Sequence, residues 1–175
     1  VQTAYAAGRW QRQQEAKKER PYLRYSAILD GRTRPAHRAL DGKTFPVDDP
    51  FWRVFYPPNG FRCRCTVVSL SRREVDPDDV SHGDGNMVER DVELRPDRDT
   101  GEARTVKVGG YMLDGKPGGR VVYVDPGFSR NPGEGWELWD EARALPDVPP
   151  GVGGKTSSRT NILPGQLTFT DYGLL

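Results

Sequence analysis

Two cysteines and one histidine are the residues in this sequence best suited to hold a metal ion. Cys63 and Cys65 are one residue apart, so on an extended strand their side chains project to the same side. His37 lies earlier, on a predicted short helix, and could supply a third ligand, with Asp30, His82 or water as the fourth. Thiolate and imidazole ligands are typical of structural zinc sites. The spacing predicts either such a site or a packed pair of thiols beside a hydrogen-bonded His37.

Arginines are concentrated around these candidates, at Arg32, Arg34, Arg62 and Arg64. A guanidinium group can bind a carboxylate or a phosphate through two parallel hydrogen bonds. The arginines therefore either bind a phosphate-bearing ligand or form clamps within the chain. The nearby aspartates that could accept such clamps are Asp41, Asp48 and Asp49.

Several other chemistries are disfavoured by the sequence. The Gly153–Thr156 segment has the composition of a phosphate-binding loop, but no strand precedes it and no helical pattern follows it, so a linker is the better interpretation. Two histidines and no nucleophile elbow leave little scope for a serine triad. The Cβ atoms of Cys63 and Cys65 would be too far apart on a strand for a disulfide. We therefore expect a reducing compartment or a bound metal.

The net charge of +1 conceals a strong asymmetry along the chain of 175 residues. Residues 9–73 carry 15 basic and 6 acidic side chains, whereas residues 74–102 carry 3 and 11. This pattern suits a basic face that meets nucleic acid or an acidic protein, or a basic segment neutralised by the acidic one. No apolar run reaches the roughly 18 residues of a membrane span, and the first 20 residues lack the pattern of a signal peptide.

The elements that must position these residues are short. The pattern predicts helices at Thr3–Glu19, Arg34–Leu40, Ser71–Val75 and Trp136–Leu145, strands at Tyr22–Leu29, Cys63–Leu70 and Ala103–Val108, and a hairpin of Tyr111–Leu113 with Arg120–Val124. Phe45–Gly60 is predicted to be a loop held down by aromatic side chains. The predicted fold class is α+β: a small, loop-rich domain with short helices and antiparallel strands, an N-terminal helix and an extended C-terminal tail.

The same pattern predicts three regions. Residues 1–20 form a helix that we expect to be the end of a larger N-terminal region, because few of its residues are apolar and the chain begins with Val1. Residues 21–135 form the main domain. Residues 136–175 form a linker and tail, in which we expect proteolysis first between Pro146 and Pro164.

A series of motifs in the main domain resembles the phage Mu F-like head morphogenesis proteins, also called minor head proteins. The motifs are Tyr25–His37, Leu40–Gly42, Asp48–Trp52 and Pro57–Thr66. The preceding helix and the later turn at Asp125–Gly133 are also similar, so the resemblance extends over roughly residues 3–133. It marks as shared structural positions Arg32, Arg34, Trp52, Pro57, Pro58, Gly60 and Arg64.

The resemblance also bears on the metal site. A sister branch of the family has cysteines at the positions of Arg34 and His37, and a histidine at the position of Gly60. This chain retains Cys63, Cys65 and the candidate ligand His37. Either a zinc site with three protein ligands or a formerly metal-bearing site held by hydrogen bonds would fit this comparison.

The resemblance implies a non-enzymatic protein of the virion head or portal vertex that is present in the host cytoplasm during assembly. Its expected partners are the portal protein, the major capsid protein or both, with contact to packaged DNA, and it needs no membrane or small-molecule substrate. The expected role is in head assembly, DNA packaging or DNA delivery. The alternative is a metal-dependent nuclease or toxin-associated phage protein, with His37 as base or ligand and the arginines on phosphate.

Overall fold

The computed structural model describes residues 2–116 and 118–134 of the chain. It contains three α-helices, α1 (Gln2–Glu15), α2 (Pro35–Ala39) and α3 (Phe51–Phe55), and six strands, β1 (Tyr22–Ser26), β2 (Thr44–Pro46), β3 (Thr66–Leu70), β4 (Met87–Glu93), β5 (Thr105–Met112) and β6 (Val121–Tyr123). Two 3₁₀ turns, Arg72–Glu74 and Pro77–Asp79, lie between β3 and β4. The predicted α+β class with short helices is confirmed.

The strands form two antiparallel sheets of three strands each. The first has the order β2-β1-β3, with Leu23 opposite Phe45 on one side and Ser69 on the other. The second has the order β4-β5-β6. The predicted hairpin is confirmed as β5 and β6, which pair from Gly110 opposite Tyr123 to Met112 opposite Val121.

Aromatic side chains of α3 and β2 connect the two sheets. Phe51 stacks on Phe45 with ring centroids 3.9 Å apart and on Phe55 at 4.8 Å. All three rings make edge contacts with Tyr111 of β5. Phe45, Phe51 and Trp52 are each 0% exposed. This cluster is the centre of the hydrophobic core.

The prediction of a loop at Phe45–Gly60 was therefore wrong about the secondary structure of the segment. It was right that aromatic side chains hold the segment against the core. The segment contains the end of β2 and all of α3. Residues 51, 52 and 55 can face the core together because they recur at helical spacing. Burial of these rings stabilises a single helical turn that would not be stable alone.

Helix α1 packs on the first sheet through a polar residue. Gln13 is 7% exposed; its Nε2 donates to the Val67 carbonyl at 3.3 Å, and its Oε1 accepts from the Tyr56 hydroxyl at 2.7 Å. The ring of Trp10 lies edge-on to Tyr56 with centroids 4.9 Å apart. The helix thus contacts the domain that follows it. None of the helices in the described residues is long and apolar enough to cross a membrane.

Other predicted strands have different boundaries in the structure. The predicted strands at Ala103–Val108 and Tyr111–Leu113 are one strand, β5, and its partner β4 was not predicted. Strand β4 is mostly exposed, so its charged sequence shows little apolar alternation. The predicted strand Cys63–Leu70 begins only at Thr66. The predicted helix Trp136–Leu145 and linker Pro146–Pro164 lie outside the described residues.

Candidate functional site

The imidazole of His37 lies beside both thiols. Its Nδ1 atom is 3.6 Å from Sγ of Cys63 and 3.4 Å from Sγ of Cys65. One ligand atom from each of the three residues lies within 4.8 Å of the others, and no other group of three such donors was found in residues 2–116 and 118–134. His37 and Cys63 are buried, Cys65 is half-buried, and both thiols are free. The structure thus brings together three of the four residues predicted as ligands.

Two short segments position this thiol–imidazole cluster. Pro35 begins α2, where its missing N–H leaves no hydrogen bond unmade, and His37 follows within the same turn. The cysteines lie just before β3, in a turn closed by the Cys63 N–H to the Gly60 carbonyl at 3.2 Å. Because β3 then pairs with β1 from Thr66 onward, the cysteine segment is anchored at both ends.

A buried tyrosine and asparagine support the cluster. Nδ2 of Asn59 donates to the Tyr25 hydroxyl at 3.0 Å and to the Phe55 carbonyl at 3.0 Å. Burial raises the pKa of Tyr25 well above its usual value, and the neighbouring thiols raise it further. The phenol therefore stays protonated beside the two thiols.

The two thiols differ in their affinity for a proton. The pKa of Cys63 is lowered because the thiol of Cys65, His37 and the backbone of Asn59 and Cys65 hydrogen-bond to its sulfur, which outweighs desolvation. The pKa of Cys65 is raised by its hydrogen bond to Cys63 and by burial. The pair therefore favours one thiolate, on Cys63, and one thiol.

Asp30 takes part in a clamp and not in the thiol–imidazole cluster. Its carboxylate accepts two hydrogen bonds from the guanidinium of Arg64, at 2.6 and 2.8 Å, and the N–H of Arg32 at 3.0 Å. The hydrogen bond from Arg64 holds the pKa of Asp30 well below its ordinary value. The structure thus places Asp30 in the clamp with Arg64, outside the group of three donor residues around His37.

Arg34 and Gly60 are neighbours in space. The guanidinium of Arg34 pairs with Asp125 at 3.2 Å and donates to the Phe61 carbonyl at 2.9 Å. A Cβ at Gly60 would fall on the Asp125 carboxylate and within 2.8 Å of that guanidinium. A side chain at position 60 would therefore have to displace the Arg34–Asp125 ion pair.

The remaining motif residues either lie in the core or line a groove. Trp52 is fully buried, and its Nε1 donates to the Pro46 carbonyl at 2.9 Å. Pro57 and Pro58 line a groove of about 220 Å³ beside the thiol–imidazole cluster. The groove is bordered by α1 and by both cysteines; its lining includes Tyr5, Arg9, Cys63 and Cys65.

The predicted arginine clamps occur, but with different partners. Arg34 and Arg64 bind Asp125 and Asp30, whereas Arg32 is 84% exposed and lies 3.8 Å from Asp30. The three aspartates that were expected to accept hydrogen bonds from these arginines bind other groups. Asp41 accepts the Ala27 N–H, Asp48 pairs with Lys17, and Asp49 accepts the N–H groups of Phe51 and Gly83.

Sequence reasoning missed four positioning residues, which are Tyr25, Asp49, Asn59 and Asp125. Each lies within or beside a recognised motif, but its role depends on a partner distant in sequence. The one available signal was Asn59 between two prolines and a glycine, which predicted a turn and not a buried side chain with two hydrogen-bond partners.

His82 is exposed and its carbonyl accepts from Asn86, as expected for a loop histidine. The Gly153–Thr156 segment lies outside the described residues.

The donor set at the cluster is two sulfurs and one imidazole nitrogen. Such soft and borderline donors suit Zn²⁺ better than Mg²⁺ or Ca²⁺, which prefer oxygen. The residues present thus fit a zinc ion with three protein ligands, and they equally form a hydrogen-bonded set without an ion.

The basic segment, residues 9–73, is neutralised in part by the acidic segment, residues 74–102, as in the Arg20–Glu74 pair at 3.5 Å.

Comparison with known proteins identifies relatives of this chain. Residues 1–68 match the family model described as Phage Mu protein F like protein. The chain is 45% identical over 102 residues to the Mu-like prophage FluMu F protein of Haemophilus influenzae, covering 57% of the chain and 25% of that protein. It is 40% identical over 136 residues to the putative capsid assembly protein F of Escherichia phage Mu, covering 76% of the chain and 30% of that protein.

These matches confirm the resemblance predicted from the motif series. The chain spans a quarter to about a third of the length of the relatives that it matches. No solved structure matches it significantly.

Proposed function

We propose that this chain, whose residues 1–68 belong to the phage Mu protein F like family, acts as a structural component in the assembly of a phage head. The observation that carries the proposal is its 40% identity over 136 residues to a protein named as a putative capsid assembly protein. The matched length equals 76% of the chain, so most of the described domain is included.

The geometry of the motif residues supports a structural role. Arg34 and Arg64 are held by carboxylates of the same domain, at 3.2 and 2.6 Å. Trp52 is buried in the core, and Gly60 makes room for the Arg34–Asp125 pair. These residues stabilise the fold, and none of these four is a nucleophile or a general base of the kind that hydrolysis needs. We therefore propose a non-enzymatic role.

The site of action that we propose is the portal vertex or the interior of the head, during assembly, DNA packaging or DNA delivery. The portal protein and the major capsid protein are the proposed partners, and the protein would pass from the host cytoplasm into the virion. Exposed arginines of the basic segment, such as Arg32 at 84% exposure, are available for packaged DNA or an acidic partner surface.

Deletion of the gene from the phage or prophage that encodes it tests the role. Induced lysates of the deletion should contain tails but no DNA-filled heads, and a plasmid copy should restore filled heads, both scored by electron microscopy. Normal yields of filled, infectious particles from the deletion would overturn the proposal. A virion density map, compared with that of a tagged protein, would locate the chain relative to the portal ring.

The nuclease alternative has less support, because Arg34 and Arg64 are engaged by carboxylates and thiolate ligands favour structural zinc. A nuclease assay on metal-loaded and metal-stripped protein separates the two hypotheses. We expect no cleavage of single-stranded or double-stranded DNA in either form. Robust cleavage that is lost on His37→Ala and kept on His82→Ala would favour the enzyme.

A further inference from the structure

We propose that His37, Cys63 and Cys65 bind one Zn²⁺ ion, which fastens α2 to the segment preceding β3, and that water from the adjacent groove completes the tetrahedron. This inference concerns the stability and architecture of the domain and is independent of its role in the phage. Neither the family description nor the names of the relatives assigns a metal to these residues.

The separations of the donor atoms carry the proposal. Zinc–sulfur and zinc–nitrogen bonds of about 2.3 and 2.0 Å in a tetrahedron place neighbouring donors roughly 3.5 to 3.8 Å apart. Nδ1 of His37 lies 3.6 Å from Cys63 Sγ and 3.4 Å from Cys65 Sγ, and all three donor atoms lie within 4.8 Å of one another. The two nitrogen–sulfur separations already match a tetrahedral site, and the two sulfurs, at most 4.8 Å apart, need to approach each other by at most about 1 Å to seat the ion.

The surroundings of the donors favour a bound cation. Nδ1 of His37 lies against both sulfurs, and Tyr25, whose hydroxyl accepts from Nδ2 of Asn59 at 3.0 Å, lies close enough to both thiols to interact with their charges. Polar groups around metal ligands orient and stabilise them. Arg64, between the two cysteines, pairs with Asp30 at 2.6 Å, so a carboxylate balances its charge.

The fourth position is accessible to solvent. Both cysteines line the groove of about 220 Å³ that α1 borders, which is large enough for water. Asp30 is engaged by Arg64, and His82 belongs to an exposed loop. Water is therefore the ligand that the described residues leave for this position.

Cobalt substitution tests the proposal without any variant. The reduced 175-residue chain, purified through a tag without histidine, is stripped with chelator and titrated with Co²⁺ alone. We expect one equivalent to produce the intense visible bands of tetrahedral Co²⁺ and a near-ultraviolet thiolate-to-cobalt charge-transfer band, both displaced by one equivalent of Zn²⁺. The absence of the charge-transfer band in protein with free thiols would overturn the proposal.

Variants assign the ligands. The Cys63→Ser/Cys65→Ser double variant should lose the charge-transfer band. His37→Asn should weaken Co²⁺ binding by more than about 100-fold, which is the upper end of the loss caused by changes outside the ligand shell. His82→Asn is the matched control and should bind as the wild type does. A smaller loss for His37→Asn, or a retained band in the double variant, would overturn the site as proposed.

Metal-dependent stability is the second readout. Zinc binding at a structural site contributes to folding, so chelator should lower the melting temperature of the wild type and of His82→Asn. It should leave the melting temperature of the double cysteine variant unchanged. If chelator leaves all three proteins unchanged, the thiols are only packed and the proposal fails.

Discussion

Arg64 donates two hydrogen bonds to the carboxylate of Asp30, at 2.6 and 2.8 Å, although 34 residues separate them. Arg64 lies between the two cysteines, and Asp30 lies in the loop that leads to α2. The clamp therefore joins the same two segments as the thiol–imidazole cluster.

Acid should release this clamp. The hydrogen bond from Arg64 lowers the folded-state pKa of Asp30. The stabilisation is therefore fully present above the unfolded-state pKa of about 3.9 and is lost as pH falls towards the lower folded-state pKa. Melting curves of wild type and Asp30→Asn should differ at neutral pH and should begin to converge only as the pH falls below about 4. Asp48→Asn, at the exposed pair with Lys17, is the control, and an acid profile of Asp30→Asn parallel to the wild type would contradict the prediction.

Phe51 should be among the most costly residues to truncate. Its ring is fully buried, stacked between Phe45 and Phe55 and in contact with Tyr111 of the second sheet. Phe51→Ala should lower the free energy of unfolding by about 3–5 kcal/mol, measured by urea denaturation. Phe61→Ala, at a ring that is 58% exposed, should cost much less. Equal losses at the two positions would show that the core has been misplaced.

Gly60 should be coupled to the ion pair that crosses it. Gly60→Ala places a methyl group on the Asp125 carboxylate, so we expect a loss of about 1–3 kcal/mol from overpacking. The same substitution should cost less in an Asp125→Ala background, as a double-mutant cycle would measure. Gly31→Ala is the control because no heavy atom lies within 4 Å of a Cβ there. Strict additivity of Gly60→Ala and Asp125→Ala would argue against the contact.

Removal of the Tyr25 hydroxyl should measurably lower the free energy of unfolding. The hydroxyl accepts from Nδ2 of Asn59 at 3.0 Å and lies beside the thiol of Cys65, both inside the domain. Tyr25→Phe leaves Nδ2 of Asn59 with one partner fewer, so we expect a loss of about 1–3 kcal/mol in urea denaturation. Tyr22→Phe, at a half-buried position in the same strand, is the matched control and should change stability by less than about 0.5 kcal/mol.

Local chemistry in the sequence was sufficient for several features. Pro35 at the first turn and Gly42 at the end predicted α2, and the two segments around residues 114–119 predicted the β5–β6 hairpin. The helix and the hairpin depend on interactions between residues close in the chain, which a single sequence displays directly. Residue type and spacing also named His37, Cys63 and Cys65 as candidate ligands, but their proximity, across 26 and 28 residues, depends on the fold.

Tertiary packing decided what the local pattern left open. Helix α3 exists because Phe51 and Phe55 are buried against Tyr111 of the other sheet, a contact that no local propensity reveals. Strand β4 was missed because pairing with β5, and not an apolar face, holds its charged residues extended.

The partners of the polar residues were likewise decided by the fold. The sequence by itself determined that arginines, carboxylates, thiols and an imidazole would occur together in residues 30–65. Only the tertiary structure decided that Asp30 binds Arg64 and leaves the thiols to His37, and that Arg34 reaches Asp125. The physical reason is that hydrogen bonds and ion pairs form wherever the backbone brings complementary groups within about 3 Å, and the hydrophobic core sets that backbone path.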